Sequence, residues 1–546
     1  MQLYLSQINP IVGDLKGNHE KLCSAWKKAK EMGADLIVFP ELAITGYPPE
    51  DLVLMPSFQQ AAMQAVEKLA NETVDGPAII TGGIWHDGTQ LYNSAFLIEE
   101  GNIARIQFKH HLPNYGVFDE KRVFACGPLP EVVEWRGIRI GLLVCEDMWG
   151  DESVAHVAKQ NPDVLISINA SPYERGKMSA REEVARDAVS TCRAPLFYVN
   201  TVGGQDEIVF DGRSFVMDAS GEVCGKFKAF EEQVSGFGFQ VSGKEIELLS
   251  PDSWNLEPKA LELLYLAMMT GVRDYVEKNN FPGVVIGLSG GIDSALTACV
   301  AVDALGPERV HCVMMPSKYT SDISVVDATK LATELGVTYN IVTIAQGMEA
   351  VEGMLAGIRD QLTSLAMENI QPRIRGLLLM AISNSTGKIL LTTGNKSEMA
   401  TGYATLYGDM CGAFNVLKDL YKMEVYALSE WRNMSMPQGA KGPEGAVIPE
   451  RIISRPPSAE LKPDQTDQDT LPPYATLDAI LKGLVEERLS VEDLTARGFE
   501  KTMIEQVAGM LFRSEYKRRQ APPGVKLSSM SFGRDRRYPL TNGFKL

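Results

Sequence analysis

Three short strings in the first half of the chain contain residue types that together can cleave an amide bond. Glu41 follows the apolar run LIVFP, Lys109 follows a run that ends in Phe108, and Cys145 follows GLLV. A cysteine that attacks an amide needs a base for its thiol, an acid for the departing ammonia and a donor for the oxyanion. Glu41 can act as the base and the acid, and Lys109 as the donor. A helix directly after Cys145 would lower the pKa of its thiol.

Each of these residues also has a simpler explanation. A single cysteine after a strand is usually buried and inert, and a Glu or Lys at a strand end is usually a surface residue. A dyad of Cys145 with His110 or His111 is the chemical alternative, although adjacent residues on a strand point to opposite faces.

The order of the strings PEL, KHHLP and CED favours the amidase interpretation. Over about residues 1–240 they resemble the Glu–Lys–Cys triad of the nitrilase (carbon–nitrogen hydrolase) superfamily. The resemblance implies catalysis by Glu41, Lys109 and Cys145, with Glu120 as an additional active-site glutamate. It also implies glutamine-binding residues, namely Tyr115, Ser171 and Lys177.

A glycine-rich loop in the second half, GLSGGIDS at residues 287–294, joins a predicted strand to a predicted helix. Its glycines let the backbone approach an anion, its serines supply hydroxyl donors, and the helix N-terminus adds unpaired N–H groups. The lysine of a GxxxxGK[ST] loop is missing, so the loop is suited to released pyrophosphate. Asp293 among the phosphates indicates a Mg²⁺ ion that bridges it to their oxygens.

A second predicted strand ends in the polar string TTGNKSE, at residues 392–398. Strand ends of this kind are the usual place for ligand contacts in an open α/β sheet. Thr393 can contact a nucleotide there, and Glu398 can share the metal or bind substrate. Arg375 and Lys422 are basic residues of the kind that a substrate with several phosphates needs.

Five strings in the second half of the chain resemble, in their order, the bacterial NAD⁺ synthetases, which are N-type ATP pyrophosphatases. They are LSGGIDS, TTGNKSE, YGD, IPERIISRPPSAELKPDQTDQDTLPPY and EYKRRQAPPGVK. In that family ATP adenylates the nicotinate carboxylate of deamido-NAD⁺, and ammonia displaces AMP. The resemblance implies ATP as co-substrate, Mg²⁺ as cofactor with Asp293 and Glu398 as ligands, and deamido-NAD⁺ contacts from Asn369, Glu398 and Lys517. It implies ATP contacts from Gly287, Leu288, Ser289, Gly290, Gly291, Ile292, Asp293, Ser294 and Thr393.

The succession of apolar runs predicts two domains of different fold class. Residues 1–245 mix hairpins and helices, which favours an α+β four-layer sandwich of the nitrilase type. Residues 246–259 are polar and contain proline, as in a linker. Residues 260–546 alternate strand and helix, which predicts a doubly wound, Rossmann-like α/β domain with a parallel sheet. A proline-rich insert within it, residues 437–473, is expected to be structureless and to act as a lid.

Composition excludes several classes of protein. The 546 residues are 45% hydrophobic and carry a formal charge of −17, so neither nucleic acid nor an anionic membrane surface is an expected partner. No apolar run approaches the roughly 18 residues of a membrane span. The eight cysteines are scattered without a CxxC pair, which suits the cytoplasm and argues against a zinc knuckle, an iron–sulfur cluster or a disulfide scaffold.

The two halves together resemble the glutamine-dependent NAD⁺ synthetases. The resemblance implies a ligase that converts deamido-NAD⁺, ATP and L-glutamine to NAD⁺, AMP, pyrophosphate and glutamate, as a cytoplasmic homo-oligomer of two or more chains. Three alternatives stay open on the residues alone. They are an ATP pyrophosphatase that amidates XMP or aspartate, a tRNA-thiolating or lysidine-forming enzyme, and a nucleotide-sensing module with an inactive amidase.

Overall fold

The computed structural model describes residues 1–240, 245–249, 258–462 and 465–544. The chain forms two compact units, Met1–Lys259 and Ala260–Leu546. The linker predicted from residue 246 starts too early, because Glu245–Leu248 form a strand that pairs with Gln233–Gln240. Most of the predicted linker, residues 250–257, lies outside the described residues. Among the helices that are described, none is both long and apolar enough to cross a membrane.

The N-terminal unit alternates strands with four longer helices in its described part. Its helices are α1 (Leu15–Glu31), α2 (Pro56–Glu72), α3 (Asp151–Lys159) and α4 (Lys177–Cys192). Its strands are β1 (Gln2–Gln7), β2 (Leu36–Val38), β3 (Ala78–His86), β4 (Leu91–Glu99), β5 (Asn102–Phe108), β6 (Val132–Trp135), β7 (Ile138–Val144), β8 (Val164–Asn169), β9 (Leu196–Asn200), β10 (Val202–Gln205), β11 (Ile208–Asp211), β12 (Phe215–Met217), β13 (Val223–Lys226), β14 (Gln233–Gln240) and β15 (Glu245–Leu248).

Two mixed sheets form the middle layers of this unit. One has the strand order β15-β14-β1-β2-β3-β4-β5, the other β13-β12-β9-β8-β7-β6. Apolar side chains from both sheets, such as Leu36 and Ile166, form one core between them. Helices α1 and α2 cover the outer face of the first sheet, and α3 and α4 that of the second. The predicted four-layer sandwich is therefore confirmed, and its inner strands are buried because both of their faces are covered.

The C-terminal unit is built from a parallel sheet and many helices. Its strands are β16 (Val284–Gly287), β17 (Val310–Met314), β18 (Thr338–Ile341), β19 (Ile389–Thr392) and β20 (Phe414–Asn415). Its helices are α5 (Ala260–Lys278), α6 (Ile292–Leu305), α7 (Asp322–Leu335), α8 (Ala345–Met354), α9 (Ser364–Glu368), α10 (Ile370–Thr386), α11 (Lys396–Thr401), α12 (Lys422–Met434), α13 (Glu450–Ser454), α14 (Tyr474–Val485), α15 (Val491–Ala496), α16 (Lys501–Arg513) and α17 (Glu515–Arg518).

The strand order of this sheet, β18-β17-β16-β19-β20, confirms the predicted doubly wound fold. The strands pair in parallel, so their carboxyl ends lie at one edge. Strands β16 and β19 are neighbours at the point where the strand order reverses. The glycine-rich loop and the TTGNKSE string follow these two strands, and the topology therefore brings them together.

The expectation that residues 437–473 are structureless is wrong for part of the insert. Helix α13 lies within it, and Ile448, Ile452 and Leu471 are buried. Ile448 precedes this helix and Ile452 lies within it, and both are shielded from solvent. Residues 463–464 of the insert are not described.

A buried ion pair joins α6, which follows the glycine-rich loop, to α12. Arg432 Nε donates to Asp303 Oδ2 at 2.6 Å, and Arg432 Nη2 donates to Asp303 Oδ1 at 3.0 Å. Tyr265 Oη of α5 donates to the same carboxylate at 2.6 Å. Both charged side chains are fully buried, so neither can exchange its partner for water.

Replacing Arg432 with Ala should lower the stability of this helical layer by about 3–5 kcal/mol, because it leaves Asp303 buried without its cation. The matched control is Arg497→Ala, whose pair with Glu487 is half-exposed and contributes about 0–1 kcal/mol. Hydrogen exchange of the α6 amides, followed by mass spectrometry, measures the effect. Equal protection of α6 in the two variants would contradict the prediction.

Candidate active sites

The three predicted amidase residues all lie at the carboxyl ends of strands of the N-terminal unit. Glu41 lies three residues beyond β2, Lys109 directly follows β5, and Cys145 directly follows β7. Cys145 begins a short 3₁₀ helix, Cys145–Met148, and has a φ of 48°. A side-chain-bearing residue in this left-handed region is strained, and such strain is concentrated at functional sites.

A fully buried lysine lies between two carboxylates at this site. Lys109 Nζ donates to Glu41 Oε1 at 2.7 Å and to Glu120 Oε1 at 2.9 Å. Burial alone would lower the pKa of Lys109, but the charges of Glu120 and Glu41 outweigh it and raise the pKa well above its usual value. Burial raises the pKa of Glu120 to about 7, against the opposing effect of Lys109. Lys109 is therefore a fixed ammonium ion.

Residues that the sequence did not reveal hold these carboxylates in place. Asn93 Nδ2 donates to Glu41 Oε1 at 2.7 Å, and the N–H of Ala170 donates to Glu41 Oε2 at 2.9 Å. Tyr47 Oη donates to Glu120 Oε1 at 2.9 Å. Asn93 lies in the middle of β4 and Tyr47 in a loop, so neither stood out in a local pattern.

The structure corrects the expected acidity of Cys145. The helix behind it is a single 3₁₀ turn, too short to stabilise a thiolate strongly. Burial, and then the charge of Glu41, raises the pKa of Cys145 well above its usual value. The resting residue is therefore a thiol, and a base must remove its proton before it can attack.

Asp147 connects the cysteine turn to the lysine loop. Its Oδ1 accepts hydrogen bonds from the backbone N–H groups of His110, at 3.0 Å, and His111, at 2.7 Å. Its Oδ2 accepts from the N–H of Val144 at 3.3 Å. The third residue of the CED string thus positions Lys109 relative to Cys145, a role that no local pattern in the sequence indicated.

The predicted glutamine-binding residues lie in three different settings. Tyr115 is 57% exposed, and its Oη donates to Glu146 Oε1 at 2.9 Å, next to Cys145. Lys177 Nζ lies 5.6 Å from the ring centroid of Phe118. Ser171 is buried, and its Oγ accepts from Arg181 Nε at 3.1 Å.

A cavity of about 300 Å³ lies at the carboxyl edge of the sheet in the C-terminal unit. Glu398 and all nine residues predicted to contact ATP line it, namely Gly287, Leu288, Ser289, Gly290, Gly291, Ile292, Asp293, Ser294 and Thr393. Arg375 also lines it, and burial lowers the pKa of that guanidinium to about 10.

The glycine-rich loop has the backbone conformation that an anion site requires. Gly290 has a φ of 81°, and a Cβ there would come within 2.4 Å of the carbonyl oxygen of Ser324. Helix α6 begins after Gly291 without a side-chain cap among the described residues, so its first N–H groups can meet a ligand. The hydroxyls of Ser289 and Ser294 lie 3.1 Å apart, and Ser294 Oγ donates to the carbonyl oxygen of Gly291 at 3.0 Å, while their contact with ATP stays a prediction.

A second buried lysine between carboxylates lies in this cavity. Lys422 Nζ contacts Asp293 Oδ2 and lies 3.6 Å from Glu398 Oε1. Asn395 Nδ2 donates to Asp293 Oδ1 at 2.8 Å, and the N–H of Asn395 donates to Glu398 Oε2 at 3.2 Å. Burial and then Asp293 raise the pKa of Glu398 to about 8. The two predicted metal ligands are thus brought together around an ammonium ion.

Two of the residues predicted to contact deamido-NAD⁺ are not among those that line the cavity. Asn369 Oδ1 accepts from Thr405 Oγ1 at 2.9 Å. Lys517 Nζ donates to the carbonyl oxygens of Gly402 and Ala404, both at 2.7 Å. Thr405 does line the cavity, so Asn369 and Lys517 hold its wall.

Comparison with known proteins gives the family. Residues 264–521 match the NAD synthase family and residues 5–241 the carbon-nitrogen hydrolase family. The chain is 45% identical over 545 residues to the glutamine-dependent NAD(+) synthetase of Rhodobacter capsulatus, and 42% identical over 550 residues to that of Acinetobacter baylyi. Each alignment covers 100% of this chain and 99% of the relative. The chain belongs to the glutamine-dependent NAD⁺ synthetase family.

Two solved structures of glutamine-dependent NAD⁺ synthetases share the fold. The structure from Acinetobacter baumannii, in complex with adenosine diphosphate, is 40% identical, with a TM-score of 0.79. The match covers 99% of this chain and 98% of the Acinetobacter baumannii chain. The structure from Cytophaga hutchinsonii has a TM-score of 0.84 at 20% identity, and covers 100% of this chain and 98% of that one.

Two residues of the proline-rich insert, Arg455 and Asp467, line the synthetase cavity. The basic side chain of Arg455 makes it a candidate for phosphate contact from the sequence, whereas Asp467 was not predicted. Asn395, which bonds to Asp293, was not predicted either, although it forms a capping box with Glu398 at the start of α11 and the Asn-x-x-Glu spacing is a recognisable signal for such a box. Asp467 carries no such signal, because only the path of the insert brings it to the cavity.

The raised pKa of Glu120 predicts a pH dependence for glutamine hydrolysis. As the pH falls through about 7, Glu120 gains a proton, and Lys109 loses one of its two anionic partners. The value of kcat/KM should therefore fall about tenfold per pH unit below this point, as for a single essential ionisation. Glu120→Gln should remove this inflection and reduce activity at every pH.

The pH profile of glutamate release checks this prediction. The control is Glu134→Gln, which changes an exposed glutamate of the same unit and should keep the wild-type profile. An inflection near pH 7 that survives in Glu120→Gln would assign the ionisation to another group.

Proposed function

We propose that this chain makes NAD⁺ by ATP-dependent amidation of deamido-NAD⁺, with glutamine as the source of the nitrogen. The observation that carries the proposal is the presence of two complementary sites in one chain of this family. A buried Glu41–Lys109–Glu120 cluster accompanies Cys145 in the amidase unit. A glycine-rich anion loop lines the cavity of the synthetase unit. The products are NAD⁺, AMP, pyrophosphate and glutamate.

In the amidase unit, Glu41 takes the proton of the Cys145 thiol, and the sulfur attacks the side-chain amide carbon of glutamine. An ammonium group has three N–H donors, and two of those of Lys109 bind Glu41 and Glu120. Among the described residues the third has no acceptor, and it is available to the oxyanion of the tetrahedral intermediate. Glu41 then protonates the leaving ammonia, and water hydrolyses the thioester to glutamate.

In the synthetase unit, the nicotinate carboxylate of deamido-NAD⁺ attacks the α-phosphorus of ATP, and pyrophosphate leaves. Ammonia then attacks the acyl carbon, and AMP leaves with the electrons of the broken C–O bond. The N–H groups at the start of α6 and the backbone of Gly290 and Gly291 would hold the pyrophosphate. Arg375 and Lys422 supply positive charge in the same cavity.

The residues of this cavity fit a Mg²⁺ ion. Asp293, Glu398 and Asp467 all line it and offer the carboxylate oxygens that Mg²⁺ prefers. Asp467 Oδ1 is buried and has no hydrogen-bond partner within the described ranges. Asp293 and Glu398 would hold the ion, with Asp467 as a further candidate. Mg²⁺, when bound, would neutralise charge on the phosphate oxygens.

The remaining assignments are supported by the family, by exposed apolar side chains and by the pattern of cysteines. We propose that Tyr115, Ser171 and Lys177 bind glutamine, and that Asn369, Glu398 and Lys517 bind deamido-NAD⁺. A homo-oligomer of two or more chains is supported by exposed apolar side chains from the end of α8 to the middle of α10, namely Met354, Ile358, Leu365 and Leu377. A cytoplasmic location is supported by the scattered cysteines.

Two substitutions separate the half-reactions. Cys145→Ala should reduce glutamine-supported NAD⁺ formation by roughly a thousandfold or more and leave ammonia-supported formation intact, because the thiol acts only on glutamine. Asp293→Asn should reduce NAD⁺ formation with either nitrogen donor by at least about tenfold, yet leave glutamate release in place. Production of NAD⁺, AMP and glutamate is measured for each variant with each donor.

The pattern across these assays decides the proposal. Equal loss with both donors in folded Cys145→Ala would contradict the division between two sites. Near-normal synthesis in Asp293→Asn would contradict the assignment of the glycine-rich loop. Formation of ADP in place of AMP would contradict chemistry at the α-phosphate.

We also propose that residues 437–473 close over the synthetase cavity when substrates bind. Residues 456–461 line the cavity, and Arg455 Nη1 donates to Ser324 Oγ at 2.9 Å, next to the loop at Gly290. A carboxyl-adenylate hydrolyses readily, so the chemistry requires that water be excluded.

Limited proteolysis tests this closure. The insert should be cut readily in the free enzyme and protected when ATP and deamido-NAD⁺ are present together. Either substrate alone is the control. Cleavage at an unchanged rate with both substrates would make the insert a passive connection.

A further inference from the structure

Three side chains of metal-binding type converge on the outer helical layer of the amidase unit, and they share no residue with the Cys145 site. His19 and Cys23 lie one turn apart on α1, and Glu72 is the last residue of α2. A ligand atom from each lies within 4.8 Å of those of the other two. These three residues have no role in the reactions proposed above.

The distances within the cluster are close to those of a zinc site. His19 Nε2 lies 2.7 Å from Glu72 Oε2, Cys23 Sγ lies 3.5 Å from His19 Nε2, and Cys23 Sγ lies 3.8 Å from Glu72 Oε2. Zinc bonds of about 2.0–2.3 Å in tetrahedral geometry separate neighbouring ligand atoms by about 3.3–3.6 Å. The two distances to sulfur therefore need little change, and the third must open by roughly 0.6 Å.

Glu72 is the ligand that must move away from His19, and its surroundings allow this movement. Glu72 is 48% exposed and lies at a helix end, whereas His19 is 7% exposed and fixed in the helical layer. Glu72 Oε1 lies 3.7 Å from Lys68 Nζ in an exposed pair of little energetic weight, so this contact does not prevent the movement. One nitrogen, one sulfur and one oxygen ligand is a donor set that suits Zn²⁺ and excludes Mg²⁺ and Ca²⁺.

We propose that His19, Cys23 and Glu72 bind one divalent transition-metal ion of the Zn²⁺ class and thereby join α1 to α2. The fourth position is on the solvent side, beside the half-exposed Glu72, and takes water. The site stabilises the helical layer through its metal affinity, because an ion that binds only the folded state raises stability in proportion to the logarithm of its concentration.

Titration of the full chain with Co²⁺, after treatment with a chelator, tests the site. We expect one equivalent of Co²⁺ to give a thiolate-to-cobalt charge-transfer band, and Zn²⁺ to displace it. Cys23→Ser should abolish the band. Glu72→Gln, at the exposed ligand, should keep the band but weaken binding by roughly tenfold or more. Zn²⁺ should raise the Tm of the wild type and not that of Cys23→Ser.

Two cysteine controls locate the ion. Cys224→Ser changes a half-buried thiol elsewhere in the unit, and should leave the band unchanged. Cys126 is exposed and lies 3.7 Å from His110 Nδ1, so it is the competing thiol, and Cys126→Ser should also leave the band unchanged. A band that is lost with Cys126 or kept without Cys23 would overturn the proposal. A saturated wild type without a thiolate band would overturn it too and leave only a His19–Glu72 ion pair.

Discussion

A buried lysine between two carboxylates is the arrangement on which both candidate sites depend. In the amidase unit Lys109 contacts Glu41 and Glu120, and in the synthetase unit Lys422 contacts Asp293 and Glu398. A charge buried without a partner costs several kcal/mol, so the lysine and its carboxylates hold each other in place. Neighbouring groups then add hydrogen bonds that restrict each carboxylate further. In both units the charges are therefore arranged before any substrate arrives.

The buried charges affect the protonation of a different side chain in each unit. In the amidase unit burial, and then the charge of Glu41, raises the pKa of Cys145 and keeps it protonated at rest, against the opposing charge of Lys109. A buried thiol in this state resists oxidation and metal capture, and the proposed transfer of its proton to Glu41 would make it a nucleophile. In the synthetase unit burial, and then the charge of Asp293, raises the pKa of Glu398 to about 8.

Backbone constraints place these charges, and they come from parts of the chain that are far apart. Asp147 bonds the cysteine turn to the loop after β5, so Lys109 and Cys145 cannot move independently. Gly290 approaches the carbonyl of Ser324 so closely that a larger residue would displace the glycine-rich loop. In the synthetase unit the parallel strands bring the loops together at one sheet edge. In the amidase unit the loops come from both sheets, and hydrogen bonds between them fix their distances.

Features that depend on a local pattern could be predicted from the amino-acid sequence. The succession of apolar runs predicted an α+β four-layer sandwich for the first domain and a doubly wound α/β fold for the second, because burial of one face is encoded over a few consecutive residues. The glycine-rich loop and the amidase strings could also be recognised in the sequence, since each of these motifs lies next to the end of a predicted strand.

Which charged side chains come into contact depends on the folded structure and could not be predicted. Lys109 and Glu41 are 68 residues apart, and Lys422 and Asp293 are 129 apart, so no periodicity relates them. For the same reason the sequence misjudged the acidity of Cys145, which depends on burial and on Glu41 from another strand end. It also gave no sign that Asn369 bonds to Thr405 and Lys517 to the backbone at Gly402, which are contacts between residues far apart in the chain. Local sequence specifies which groups are available, whereas distances and desolvation arise only when distant strands pack.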